Sequence, residues 1–407
     1  MSALALAFRN LARHRRRSVL MGAVIAFGFA AFALAGGFIA QSFEGLREST
    51  IRQVGNLQIV DRRAASGTEQ ATLEFGIPRG ESARKLAASD PAVETALPRV
   101  EFVGLVTTGG KSIPFFGIGV DPIPEAKATG AEELLVKGRW LTPENPDGIL
   151  LGTGLASALS VEVGEGVTLV ATSPDGSLNA VDAIVIGLAD VKFKELNDRY
   201  LAAGLPLVER LLQSEGKVSK LVLFLREGMD EAAAAARLKA AFQSGGWPVE
   251  VLPWERLGVF YGQVRLLYAG IFGFLGAVLV VIVILAAAIV MTMAVTERTR
   301  EIGTLRALGT RPSGVRNMFL AEALLLALVG CAAGAVLSLI VMAALNASGI
   351  VLPPPPGGTT GFPIHVKAYP LAYAVGVAAM ALTALAAAYL PARRAARMNI
   401  VEALAHV

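Results

Sequence analysis

The sequence is poor in charge and nearly devoid of the residues that build metal or redox sites. Only 17% of its 407 residues are charged while 54% are hydrophobic, a balance too apolar for a soluble chain of this length, so the surplus belongs in lipid. The single cysteine, Cys331, excludes an intrachain disulfide. Three scattered histidines, His14, His365 and His406, have no cysteine partners and argue against a metal site. No G-x-x-x-x-G-K-[ST] stretch occurs, so no phosphate-cradling loop with a lysine and a hydroxyl is present to hold ATP and magnesium. Serines and acids form no nucleophile or paired-carboxylate motif. The sequence therefore implies no active site and no cofactor on this chain, which is not expected to be an enzyme.

What the sequence has is length in apolar runs. Crossing about 30 Å of hydrocarbon takes roughly 20 apolar residues in a helix, because lipid leaves every backbone polar group to be satisfied internally. Four stretches qualify: 18–40, 266–296, 317–345 and 368–390. The first is longer than the 7–15-residue core of a cleaved signal peptide and is read as a span. Short segments rich in Lys and Arg stay in the cytoplasm. Residues 1–17 carry five Arg and no acid, and the turn from Thr296 to Arg316 carries five Arg against two Glu. The tail, 391–407, carries Arg393, Arg394 and Arg397 against Glu402. All three are expected inside, putting both termini in the cytoplasm of a multi-pass protein of the bacterial inner (plasma) membrane. The Pro-rich loop 346–367 has Lys367 alone, and residues 41–265 hold 23 basic against 29 acidic residues; both are expected outside. The net charge of +4 thus reports a basic cytoplasmic edge and is no argument for nucleic acid.

The long outer segment, 41–265, reads as an α+β domain of two lobes. Val54–Asp61 alternates like a strand and Gly80–Ser89 is an amphipathic helix ahead of Asp90-Pro91. Gly148–Leu151, Val167–Ala171 and Ala183–Gly187 are β-rich and separated by Gly164-Glu165-Gly166 and Pro174-Asp175-Gly176 turns. This marks a β-rich insert at about 140–190. Lys220–Leu225 reads as a strand, Asp230 as the N-cap of an alanine-rich helix to Ser244, and Val249–Leu252 as a returning strand. Pro353–Pro356 with Gly357-Gly358 excludes helix and central strand from the second outer loop.

Within the inside turn, 297–316, Glu297, Arg298, Arg300, Glu301 and Arg306 alternate in sign at helical spacing, as in a short surface helix that shows ion pairs to a partner. The plainer reading is a solvated turn whose arginines obey the topology rule, and charge alone does not choose. Glu322 follows Arg316 closely enough to lie near the lipid interface, where a polar contact to another helix or an Arg is the simplest account. Gly330, Gly334 and Ser338 line one face of the third span, and Gly270 and Gly273 do the same in the second; small faces permit close packing within the chain or between copies. Leu4, Phe8 and Leu11 against Arg9, Arg13 and Arg16 make residues 1–17 an amphipathic leading helix on the cytoplasmic surface.

The run Thr296-Glu297-Arg298-Thr299-Arg300-Glu301-Ile302-Gly303, followed by Arg306-Ala307-Leu308-Gly309, resembles the corresponding segment of the FtsX-like and MacB-like permeases of ABC transporters. The tail Pro391–Leu404 and the start Phe8–Ser18 are similar to the family's termini, and Gly148–Val170 resembles its β-rich insert. The resemblance implies four transmembrane helices with a large extracytoplasmic α+β domain between the first two. It also implies a coupling helix, built on Glu297, Arg298, Thr299, Arg300, Glu301, Ile302, Gly303, Arg306 and Gly309, that docks on a separate ABC ATPase holding the ATP and magnesium. A second permease subunit, identical or different, completes the implied assembly, with room for a periplasmic acceptor protein. Extraction of a lipoprotein or lipid, or efflux of an amphiphilic substrate, is the implied work; regulation of a cell-wall hydrolase is the family's other use. Pro312-Ser313 and the four-proline loop depart from the family pattern, and no ATPase domain lies on this chain.

Overall fold

A computed structural model describes residues 15–66, 73–354, 357–359 and 361–405. Most of the leading helix, His14 and His406 fall outside them. The chain divides into two compact units: one holds the residues up to Gly45, Val264–Val351 and those from Pro363 on, the other Leu46–Gln263 and Leu352–Phe362.

The first unit is helical. Four long helices, Arg15–Val54, Val259–Glu297, Pro312–Ser348 and Pro370–Ala396, each contain a stretch long and apolar enough to cross a membrane. The third and fourth begin on prolines whose missing N–H would be unpaired there anyway, and Gly349, at φ 62°, closes the third in the left-handed region. Their shared core draws Met21, Ile25 and Phe29 from the first helix, Val283 and Met291 from the second, Ala323 and Leu326 from the third, and Met380 and Ala384 from the fourth. The first helix runs past residue 40 to Val54 and the second starts ahead of 266, at Val259. Hydropathy sees only the lipid-facing length, whereas charged helix formers such as Glu44, Arg47 and Glu48 extend the same helix into water.

The second unit is built on strands β1 (Leu57–Asp61), β2 (Val93–Thr107), β3 (Ser112–Val120), β4 (Leu135–Gly138), β5 (Gly148–Gly152), β6 (Gly166–Thr172), β7 (Leu178–Ala189), β8 (Tyr200–Gly204), β9 (Lys220–Leu225) and β10 (Val249–Pro253). Their order is β10-β1-β9-β2-β3-β8-β5-β7-β4, with β6 pairing both β2 and β7. All pairs are antiparallel except β3 with β8 and β5 with β7. The long β2 joins two lobes: Val93–Arg99 pairs with β9, and Gly104–Thr107 pairs with β3 and β6.

The insert expected at about 140–190 is therefore corrected. The second lobe starts inside β2 and runs to the helix Leu205–Leu212, and one hydrophobic core, from Leu57 and Phe242 to Leu151 and Leu207, continues through both lobes. Because β2 runs from one lobe into the other as a single strand, the border leaves no mark in composition. In the first lobe Asp230 caps the helix Glu231–Ser244, its carboxylate accepting from the N–H groups of Ala232 and Ala233.

Two polar knots lie within this unit, which includes the last residues of the first long helix, from Leu46 on. Glu231 accepts from Arg47 Nη2 at 2.7 Å, Asn56 Nδ2 at 3.1 Å and Trp254 Nε1 at 3.0 Å, so one carboxylate holds the end of the first helix and the approach to the second. Arg99, buried in β2, donates to Glu125 at 2.6 and 3.3 Å and to the Gln53 carbonyl at 2.6 Å. Beside this pair, burial and then the Glu125 charge push the Tyr200 hydroxyl up to about 12.

Candidate functional site

The turn between the second and third long helices is made by two corners. The second long helix ends at Glu297, where Arg298 leaves helical geometry at φ −113° and ψ 20°; a short helix, Thr299–Ala307, follows. Gly309 then adopts φ 90°, a conformation that favours glycine, and the third long helix begins at Pro312.

Three side chains fix the short helix against the bundle. Arg298 donates to Glu301 Oε2 at 3.1 Å and to Glu322 Oε2 at 3.1 Å, and its guanidinium lies 5.7 Å from the centre of the Phe319 ring. Arg298 is 6% exposed and Glu322 0%, so the two form a buried ion pair in which opposite charges compensate each other. Arg306 Nη1 donates to the Ala396 and Met398 carbonyls at 2.7 and 3.3 Å, satisfying acceptors left over at the end of the fourth helix. Ile302 is buried with Val315, Phe319, Ala392 and Ala395.

This corrects the expected outward display of ion pairs. Arg298, Thr299, Ile302 and Gly303 are buried and Arg306 is half-buried in the clamp just described. Glu297, Arg300, Glu301 and Gly309 remain on the surface. They are joined by Leu308, 80% exposed, and Leu305, an apolar pair that charge-based reasoning passed over. The signal was legible as leucine in an otherwise polar turn.

The small-residue face of the third helix is spent inside the chain. A Cβ on Gly330 would stand 2.8 Å from Ile25 Cβ and one on Gly334 2.5 Å from the Ala26 carbonyl. The first helix therefore packs here at backbone distance. Ser338 is buried and hydrogen-bonds the Tyr373 hydroxyl at 2.8 Å. Gly270 and Gly273, by contrast, have nothing within 4 Å of where a Cβ would be. Among the described residues no three His, Cys, Asp or Glu side chains converge as metal ligands.

Four membrane-crossing helices, an α+β domain between the first two, and a charged turn between the second and third define a transporter permease subunit. Residues 18–241 match the MacB-like periplasmic core domain and residues 273–400 the FtsX-like permease C-terminal domain; the chain belongs to this family of ABC transporter permeases. It is 26% identical over 335 residues to the lipoprotein-releasing system transmembrane protein LolC of Xylella fastidiosa, covering 78% of this chain and 79% of that one. It is 32% identical over 229 residues to the macrolide export ATP-binding/permease protein MacB of Escherichia coli, covering 55% of this chain and 33% of that one. The crystal structure of the periplasmic region of MacB from Actinobacillus actinomycetemcomitans matches 51% of this chain and 93% of its own length with a TM-score of 0.38 and 14% identity.

Proposed function

We propose that the chain is a permease that transmits ATP-driven movement of a separate ATPase to its outer domain, where that movement acts on an amphiphilic load. Two permease subunits would pair in the membrane, each with both termini in the cytoplasm, and each would dock one ATPase through the exposed side of the helix Thr299–Ala307. The observation that carries this reading is the construction of the turn. Arg298 and Arg306 lock the short helix onto the third and fourth long helices, so a force applied at Arg300 and Leu308 is delivered to the bundle instead of bending a loose loop. An exposed apolar side chain within a charged rim is the usual make-up of a protein contact.

For the load, the supporting feature is the open face of the second lobe. The helices Thr153–Leu159 and Leu205–Leu212 cover one side of the sheet. On the other, Leu105 of β2 stands opposite Val170 of β6, with Val103 of β2 and Leu178 and Ile184 of β7 on the same side as the hydrogen-bonded pair Thr168 and Asp182. Val103 is 51% and Leu178 75% exposed. A sheet face that mixes exposed apolar side chains with a few polar ones suits an amphiphilic lipid, lipoprotein or drug, or an acceptor protein for one.

The test is purification of the tagged chain from its native membrane in mild detergent, with ATP hydrolysis measured for the native chain and for Arg300→Glu/Leu308→Asp. Co-purification of an ATPase that the double substitution releases, at unchanged membrane levels, is the expected result. A preparation with no ATPase overturns the reading; one that brings down a cell-wall hydrolase instead establishes the family's regulatory use.

A further inference from the structure

We infer that the segment joining the third and fourth long helices is a third tether of the outer domain, in addition to the first and second helices from which that domain is suspended. Residues 352–362 group with the outer unit and not with the helices they connect. Phe193 and Gly358 form an antiparallel bridge. On either side of it the Lys194 N–H donates to the Gly357 carbonyl at 2.8 Å and the Thr359 N–H donates to the Lys192 carbonyl at 3.0 Å. The Thr359 hydroxyl then donates to Asp190 Oδ1 at 2.9 Å, the same oxygen that accepts from the Lys192 N–H at 2.9 Å.

The local chemistry is specialised for this contact on both sides. Gly357 has φ 81°, which a side chain would strain. Lys192 holds φ 66° without being glycine, an uncommon conformation kept only where its surroundings over-determine it, and its own carbonyl and N–H are both used in the junction. A strand-like graft held by three hydrogen bonds, Lys194 N–H to the Gly357 carbonyl, Thr359 N–H to the Lys192 carbonyl and Thr359 hydroxyl to Asp190, passes displacement on instead of absorbing it. Movement of the third and fourth helices thereby reaches the second lobe at Asp190–Lys194 directly, without passing through the first lobe. This consequence rests on the permease reading; the docking itself does not.

Paired cysteines at the contact test it, as Asp190→Cys/Thr359→Cys in a Cys331→Ala background that removes the native thiol, with a protease site placed in the turn at Glu227-Gly228. In native membrane vesicles, mild oxidation should hold the two fragments together on a non-reducing gel in most chains, whereas an Asp175→Cys/Thr359→Cys control should not. Thr359→Pro, which removes both the N–H and the hydroxyl, should raise hydrogen exchange at the Lys194 amide by about tenfold or more while β1 amides stay unchanged. In the complex with the co-purified ATPase, the disulfide should leave ATP turnover within about twofold and Thr359→Pro should lower it by about threefold or more. No disulfide, or unchanged exchange, overturns the docking. A disulfide that stops turnover, or a proline variant with unchanged turnover, overturns the tether. If no ATPase co-purifies, the permease reading fails, while cross-linking and exchange still decide the docking.

Discussion

Arg298 and Glu322 are separated by 24 residues and meet in a buried site. Removing one partner of a buried ion pair costs about 3–5 kcal/mol, whereas replacing both with apolar residues is far milder. Glu322→Leu and Arg298→Met should each lower the melting temperature in detergent sharply, and the double variant should recover most of the loss; single variants that melt like the native chain would show the pair to be dispensable. The alternating charges were legible in the sequence, but which of them point inward was not. Val295, Thr299 and Ile302 give the buried side of the turn, and they needed to be read as a face before the arginines were read as a display.

A second residue-scale prediction concerns acid. A bidentate hydrogen bond from Arg237, 2.8 Å to each oxygen, holds the Asp90 carboxyl below its ordinary range against the opposing effect of burial. A depressed folded-state value stabilises the fold above the unfolded carboxylate value of about 3.9, and the gain disappears as pH falls through the lower folded one. The stability difference between the native chain and Arg237→Met should therefore be constant above about pH 5 and shrink below about pH 4. Chemical denaturation across that range checks it, and a difference that persists at low pH would assign the contribution to packing of the Arg237 stem.

At the scale of elements, glycine in one helix does not do the work of glycine in another. Gly334→Val would push side-chain atoms into the Ala26 backbone and should destabilise the bundle by about 1–3 kcal/mol or more. Gly273→Val meets open space within the chain and should leave the melting point unchanged, while weakening any pairing of copies through the second helix. Melting and size-exclusion chromatography together separate the two effects. Sequence spacing marked both helices as close-packing, since small residues recur in each; the choice of neighbour is a tertiary fact. Strand identity was similarly legible, as in Lys220–Leu225 and the capped helix after Asp230, because turn and cap chemistry is local. The extent of the second lobe was hidden by β2, whose two halves serve different neighbours.

At the scale of the whole molecule, the end of the first long helix belongs to the second unit and is fastened within it. Arg99 fastens the first through the Gln53 carbonyl while neutralising Glu125. Arg99→Met should leave that carboxylate buried without compensation, at about 3–5 kcal/mol, and open the segment near residues 50–57 to added protease while the chain still inserts in the membrane. Unchanged proteolysis would mean that the Glu231 knot alone suffices. The four spans were readable from hydropathy, because lipid imposes its demands on whole segments. The knots were not, since each joins residues far apart in sequence, as Arg47 and Glu231 are.

The strand by which the chain enters the outer domain, Leu57–Asp61, lies antiparallel beside the strand by which it leaves, Val249–Pro253, with Leu57 opposite Pro253 and Asp61 opposite Val249. Asp61 and Val249 thus stand side by side, so residues 62–248 leave and rejoin the chain at one place, while β9 pairs with β1 along its other edge and carries the sheet on into the rest of the domain.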